Sequence, residues 1–153
     1  MGDDWQHNLI GNDEERLLGL LRSARRVAVL GIKTETARAQ PAFYVPQALQ
    51  QMGLSIVPVP VYYPEAQEIL GEKVYRRVAD VPGEIDIVDV FRRSGDVASH
   101  LGDLIAKKPR AVWLQSGIRD DRTAESLARE GILVVQDRCL KVDYRSVARR
   151  AVR

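Results

Sequence analysis

The sequence lacks the features of secreted, zinc-binding and membrane-spanning proteins. Its single cysteine, Cys139, cannot form an internal disulfide, which fits a reducing, cytoplasmic compartment. Two distant histidines and one cysteine do not make a zinc site. No apolar run approaches the ~20 residues that span a bilayer, and Met1–Gln6 contains two acids and no apolar signal segment. We therefore expect a cytoplasmic protein without a metal and without membrane contact.

An excess of one charge is also lacking. The 23 Lys and Arg residues face 21 Asp and Glu residues, for a net charge of +2. A protein that neutralises nucleic-acid phosphates usually carries a larger, clustered excess, so we expect no nucleic-acid partner. Hydrophobic residues make up 45% of the 153 residues and charged residues 29%, values that argue against disorder. With no linker, repeat or low-complexity tract, we expect one domain over residues 1–153.

Five short runs rich in β-branched residues predict five strands. Three are nearly continuous in apolar residues, as strands covered on both faces are. The third run alternates, with Asp86 and Asp89 between apolar residues, which favours a position nearer a sheet edge. The runs are Val27–Gly31, Ser55–Val59, Ile85–Val90, Ala111–Gln115 and Ile132–Gln136.

Helical patterns separate these runs. Asn12 and Glu15 form a capping box for the first helix, and Gly53 follows the second as a C-terminal cap. Later apolar stripes predict helices over residues 97–105, 123–130 and 141–150.

Strands that alternate with helices indicate βαβ units and a parallel sheet. We therefore predict an α/β fold, a single doubly wound (Rossmann-like) domain with a five-stranded parallel sheet. Pro64–Pro82 is irregular and is predicted to hold a turn or a short helix under the third strand.

Ligands of open α/β sheets bind at the carboxyl ends of the strands, so the segments after each run form the candidate site. The first loop, 31–41, joins a glycine to a helix N-terminus that can bind phosphate, and carries Lys33 and Arg38. It has neither the G-x-G-x-x-G fingerprint nor a P-loop, and a solvated surface loop is the alternative. After the third strand, Arg92 and Arg93 can capture a phosphate or form surface ion pairs.

Two further segments leave alternatives open. Val59–Tyr63 has no acid where an NAD enzyme binds ribose, so it argues against a nicotinamide-dependent oxidoreductase. Its apolar and aromatic groups can sandwich an adenine, or they can form a turn stiffened by proline. The turn Gln115–Gly117 can serve a ligand or simply reverse the chain.

Six segments, taken in order, resemble the small bacterial and archaeal CoA-binding proteins. These are stand-alone Rossmann-type domains similar to the CoA-binding domain of the succinyl-CoA synthetase α subunit. The resemblance spans about residues 24–148 and implies that coenzyme A, or an acyl-CoA, binds at the strand ends. It rests on Val27–Lys33, Tyr44–Pro46, Gly71–Lys73, Asp86–Arg93, Trp113–Ile118 and Asp137–Lys141.

The resemblance also implies which residues bind. In that assignment the first loop approaches the diphosphate, the next segment flanks the adenine, the third contacts phosphate or the pantetheine arm, and the fourth borders the thiol. The sets are Gly31, Ile32, Lys33 and Arg38 with Tyr44; Pro60, Val61 and Tyr62; Phe91, Arg92 and Arg93; and Gln115 and Ser116.

Two departures from the family bear on affinity. Gln40 stands where family members often carry Arg before the proline of the first loop, and Arg38 is the candidate replacement. Pro60 and Val61 stand where the family often has Asn and Pro, so a side-chain hydrogen bond is missing.

Catalytic groups are sparse. His7 lies in the N-terminal segment, and His100 lies on a predicted helix away from the strand ends with no obvious partner, so both are interpreted as structural or surface residues. Cys139 follows the fifth strand and is either reactive toward the CoA thiol or an inert buried thiol. We expect a CoA-binding module with no catalysis of its own, present alone, as a homodimer or with a partner subunit. The alternative is the CoA-binding subunit of an acyl-CoA enzyme whose partner chain supplies the catalytic residues.

Overall fold

A computed structural model describes the backbone of residues 2–151 and the side chains of residues 4–148. The chain starts with a 3-10 segment, Gly2–Asn8, and continues with α1 (Glu14–Ser23), β1 (Arg26–Leu30), α2 (Pro41–Gln51) and β2 (Ser55–Val59). A short hairpin follows, β3 (Glu68–Ile69) and β4 (Glu72–Lys73). The remaining elements are β5 (Ile87–Val90), α3 (Leu101–Lys107), β6 (Ala111–Leu114), α4 (Asp121–Arg129), β7 (Leu133–Val135) and α5 (Leu140–Ala151).

Five of the strands form one parallel sheet in the order β2-β1-β5-β6-β7. Strand β1 pairs with β2 on one side, where Val27 faces Ile56, and with β5 on the other, where Val27 faces Ile87. The order along the sheet reverses between β1 and β5, because the chain moves outward to β2 before it returns. This switch point is where doubly wound folds bind their ligands. The predicted Rossmann-like fold with five parallel strands is confirmed.

Helices cover both faces of the sheet. One face carries α1, α2 and α5, which bury Leu17, Phe43 and Leu140 against the strands. The other carries α3 and α4, which bury Leu104 and Leu127. Burial on both faces explains why the strand segments are nearly continuous in apolar residues.

The third predicted strand lies at the centre of the sheet, so its expected position near an edge is wrong. Strand β5 begins only at Ile87, and Asp86 lies before it, where its carboxylate accepts the backbone N–H groups of Arg25 and Arg26 at 2.8 and 2.9 Å. Asp89 is fully buried inside β5. Neither polar residue marks a solvent-facing edge of the strand.

Two local predictions also need correction. The first helix is capped by Asp13 and not by Asn12, because the Asp13 side chain accepts the N–H of Arg16 at 3.2 Å. The irregular segment contains the expected short helix, a 3-10 turn at Val78–Asp80, which lies against α3 rather than under the third strand. It also contains the β3-β4 hairpin, which was not predicted.

Within the described residues, no helix combines the length and the apolar character needed to cross a bilayer.

Candidate functional site

A cleft of about 890 Å³ lies at the carboxyl ends of the parallel strands. It is bounded by the loops after β1, β2, β5, β6 and β7 and by the first turns of α2 and α5. Eight of the predicted site residues line it: Lys33, Tyr44, Tyr62, Phe91, Arg92, Arg93, Gln115 and Ser116. The structure therefore brings together, in one cavity, residues that lie far apart in the sequence.

Gly31 sits at the switch point, where two loops nearly touch. Its φ is +90°, and a Cβ at this position would lie 2.2 Å from the carbonyl oxygen of Phe91. Its N–H donates to Val59 O at 2.9 Å. Only glycine fits, because both the backbone angle and the close approach exclude a side chain. The next residue, Ile32, is buried in the core below the cleft.

The loop that carries Lys33 is fastened to α2. Pro46 lies inside that helix and has no N–H to give to the carbonyl of Ala42. That carbonyl instead accepts the backbone N–H of Lys33 at 3.1 Å. The Lys33 ammonium then donates to Gln40 Oε1 at 2.5 Å, which holds the cation at the cleft wall.

Arg92 is held on several sides. Its Nε donates to His100 Nε2 at 3.1 Å, its Nη1 lies 3.5 Å from the Tyr62 hydroxyl, and its Nη2 is 3.9 Å from Asp96. The guanidinium carbon also lies 5.7 Å from the centre of the Tyr62 ring, within cation–π range. The Arg92 side chain is 15% exposed. A cation fixed in this way is ordered before any ligand arrives.

The expectation that His100 lies away from the strand ends without a partner is wrong. His100 belongs to the 3-10 segment Ser94–His100, which folds back so that the imidazole meets Arg92, the second residue after β5. Arg92 and His100 are eight residues apart, and this spacing does not predict their contact. It depends on a 3-10 segment of seven residues, which is an uncommon length.

Arg93 differs from its neighbour. Its side chain is 90% exposed, and its Nε lies 4.0 Å from Asp96. Ser94, next in the chain, accepts the backbone N–H of Arg119 through its Oγ at 2.9 Å. This bond ties the loop after β5 to the loop after β6.

The far wall of the cleft is built by the residues after β6 and β7. The buried side chain of Gln115 accepts the N–H of Leu140 through Oε1 at 3.0 Å, so Gln115 satisfies the first turn of α5. Asp137, at φ +58°, accepts the N–H of Gly117 at 2.6 Å. Cys139 is half-buried and lines the cleft, as its position after the fifth strand predicts.

Five predicted residues do not line the cleft: Gly31 and Ile32, described above, and Arg38, Pro60 and Val61. Arg38 is exposed, and its Nε donates to the carbonyl of Glu35 in its own loop. Pro60 is buried and Val61 packs on the core, so only Tyr62 of that turn reaches the cleft. Arg38 therefore does not supply a positive charge next to Gln40, where the family often has an arginine.

The cleft combines cations with apolar surface. Lys33, Arg92, Arg93 and Lys141 line it, and the described lining residues include no carboxylate. In the part of the chain whose side chains are described, the exposed large apolar residues are Tyr44, Tyr62 and Val142, at 38, 61 and 58%, and all three line this cleft. Exposed apolar surface that gathers in a cavity indicates a binding site.

Sequence reasoning missed Lys141 and Val142 as lining residues. Both lie in the first turn of α5, where the ammonium of Lys141 sits 5.1 Å from the centre of the Tyr44 ring on α2. The segment Asp137–Lys141 was singled out in the sequence, but the packing of α5 on α2 could not be read from it.

Comparison with known proteins gives one matching family and three similar proteins. The profile of a family described as "CoA binding domain" matches residues 25–145. The chain is 31% identical over 125 residues to the uncharacterized protein YneT of Bacillus subtilis (strain 168), covering 82% of this chain and 89% of the relative.

Solved structures share the fold. A Thermus thermophilus protein, cell-free ID.343, is 36% identical with a TM-score of 0.80, over 88% of this chain and 98% of that chain. The apo form of dinucleotide-forming acetyl-coenzyme A synthetase 1 from Ca. Korarchaeum cryptofilum is 19% identical with a TM-score of 0.62, over 80% of this chain and 27% of that chain. The second likeness concerns the fold alone.

Proposed function

The chain belongs to the CoA-binding domain family, and we propose that it binds coenzyme A or an acyl-CoA in the cleft at the strand ends. One observation carries the proposal: four cations and three exposed apolar side chains converge on a single cavity at the switch point of the sheet. Coenzyme A has the matching character, since it joins an anionic nucleotide to an uncharged arm that ends in a thiol.

The anionic half of the ligand would lie against the loops after β1 and β5. Lys33 and Arg92 line the cleft there, and the absence of a side chain at Gly31 lets the loops after β1 and β5 that carry them approach each other closely. Arginine suits this role because its planar guanidinium can donate two bonds to one phosphate. The exposed ring of Tyr62 offers a stacking surface for the adenine.

The uncharged arm would run toward α2 and α5. Tyr44 and Val142 supply apolar surface there, and Cys139 and Ser116 border the same end. An acyl group on the thiol would meet Tyr44 and Val142 first, so the cleft accommodates an acyl-CoA as well as the free thiol.

Calorimetric titration tests the proposal. We expect saturable heat with coenzyme A, weaker binding of dephospho-CoA and no response to NAD. Arg122→Ala is a matched control, because Arg122 is exposed on α4 and does not line the cleft. Absence of both heat and a thermal shift at millimolar coenzyme A would exclude the function.

A series of acyl-CoA ligands of increasing chain length separates the two ligand classes. Affinity that rises with acyl chain length in the natural chain, and that is lower for the long acyl chains in Val142→Ser, would support an acyl-CoA. Equal affinity along the series would support the free thiol.

A second candidate function is that of a CoA-binding subunit in an acyl-CoA enzyme. It is favoured by the chemistry of the cleft, whose lining offers cations, amides, hydroxyls and one thiol, while the neighbouring His100 is engaged with Arg92. Groups for proton transfer would then come from a partner chain. Native purification with a stable second protein would support this candidate, and elution as a monomer or homodimer would contradict it.

A further inference from the structure

His100 accepts the single N–H of Arg92 Nε. The Nε–H of Arg92 points at His100 Nε2 over 3.1 Å. A guanidinium can only donate, so this ring nitrogen must accept, and the imidazole proton resides on Nδ1. The bond therefore exists only while His100 is neutral.

Charged groups surround the imidazole on each side that packs against it. Arg92 faces it from the loop after β5, Asp96 from its own 3-10 segment and Asp103 from α3. Asp103 is already engaged, since its oxygens accept the N–H groups of Val78 and Ala79 at 2.8 Å each. Asp96 in turn lies within 4.0 Å of both Arg92 and Arg93.

Burial is the main reason that the pKa of His100 lies below its usual 6.5, and the positive charge of Arg92 lowers it further. Asp103 and Asp96 act in the opposite direction but do not reverse the shift. The imidazole is therefore neutral at physiological pH.

We propose that His100 is a positioning residue for ligand binding, which holds Arg92 in the cleft while neutral and releases it when protonated. The inference rests on the proposed binding of coenzyme A and adds its regulation by pH. Protonation would place a second cation 3.1 Å from Arg92 Nε and remove its acceptor. Arg92 would turn toward solvent, and the anionic end of the ligand would lose a fixed partner.

The sign of the pH effect follows from this. Since only neutral His100 supports the ordered Arg92, affinity falls as the pH drops through the pKa of His100, below 6.5. By linkage, bound ligand favours neutral His100 and lowers its pKa further.

The test compares coenzyme A affinity from about pH 5 to about pH 8 in the natural chain, His100→Gln and His100→Leu. Glutamine can place an amide oxygen near the Nε2 position and does not titrate, whereas leucine offers no acceptor. Ligand phosphates titrate equally in all three proteins, so the ratio of affinities isolates the histidine. Thermal unfolding at each pH checks that every variant is folded.

We expect the natural chain to lose affinity relative to His100→Gln by about tenfold at the acidic end, and His100→Leu to bind weakly throughout. NMR of the His100 imidazole gives a second readout, in which the pKa of His100 falls on ligand addition. Parallel pH profiles for the natural chain and His100→Gln, or tighter binding at low pH, would overturn the proposal. Absence of coenzyme A binding at every pH would instead reject the proposed function itself.

Discussion

Arg138 and Asp143 form a two-point ion pair across the start of α5, with Nε 2.7 Å from Oδ2 and Nη2 2.9 Å from Oδ1. The hydrogen bond to Asp143 is the main reason that the pKa of Arg138 is raised. The carbonyl of Arg138 also accepts the indole N–H of the buried Trp113 at 2.8 Å. The pair thus joins α5, the loop after β7 and the core.

Loss of this pair should lower stability. We expect Asp143→Asn to reduce the free energy of unfolding by about 1–2 kcal/mol, because a bidentate, largely buried contact is lost. Urea denaturation measures the change. Glu125→Gln is the control, since Glu125 and Arg129 form an exposed i,i+4 pair that is typically worth about 0.3–0.5 kcal/mol. Equal effects of the two substitutions would mean that the bidentate geometry contributes nothing.

Gly31→Ala should be strongly destabilising, because the added methyl group would push apart the loops after β1 and β5. The added Cβ would lie 2.2 Å from Phe91 O at a φ of +90°, so we expect a loss of about 3 kcal/mol or more. Gly131→Ala isolates the backbone effect, because Gly131 has φ +83° and nothing within 4 Å of the added atom. We expect it to cost about 1 kcal/mol in urea denaturation. A loss at Gly31 no larger than at Gly131 would contradict the close approach.

Asp89 should make stability depend on pH. It is fully buried, and within residues 2–151 neither of its oxygens has a hydrogen-bond partner. Burial raises its pKa well above 3.8, so the acid is favoured in its neutral form in the folded chain. The pKa of Asp89 is higher in the folded chain than in the unfolded chain. The part of the free energy of unfolding that depends on neutral Asp89 is therefore complete below about pH 4 and is lost as the pH rises toward the folded pKa.

Asp89→Asn removes that titration. We therefore expect the natural chain to lose stability relative to Asp89→Asn as the pH increases from about 4. Thermal unfolding over a pH series gives the comparison, with Glu130→Gln, an exposed carboxylate, as the control. Curves that run parallel for the natural chain and Asp89→Asn would show that Asp89 does not titrate in this way.

Arg92 and Arg93 should contribute unequally to coenzyme A binding. Arg92 is 15% exposed and fixed by its neighbours, whereas Arg93 is 90% exposed. We expect Arg92→Ala to weaken binding by about 1–3 kcal/mol per lost charge-assisted bond, and Arg93→Ala by less than about 1 kcal/mol. Calorimetry on both variants decides, and unchanged affinity in Arg92→Ala would remove its role at the phosphate.

The strand pattern predicted the fold because both faces of the sheet are buried, which leaves continuous apolar runs such as Ala111–Leu114. The position of β5 could not be inferred, since Asp89 looks like an edge residue in the sequence and is a buried acid in the structure. The β3-β4 hairpin was missed because strands of two residues have no periodicity to detect.

The sequence predicted a cleft-lining residue correctly where its position just after a strand places it in the cleft. Lys33 and Arg92 follow directly from their strands, and both line the cleft. Val142 reaches the cleft through the packing of α5, and His100 contacts Arg92 through the fold-back of a 3-10 segment. Residue spacing in the sequence shows neither arrangement. Arg38 fails for the converse reason, because its loop turns it toward its own backbone.

Pro46 connects α2 to the loop after β1. Because proline has no N–H, the carbonyl of Ala42 has no donor within the helix and accepts the N–H of Lys33 instead. Tyr44 lies on the same turn of α2 and lines the cleft. The backbone of Lys33 and the ring of Tyr44, two residues of the cavity lining, are therefore both attached to α2. A rotation of α2 would therefore displace the Lys33 loop and the Tyr44 ring together, so the geometry of the cavity depends on how α2 packs against the sheet.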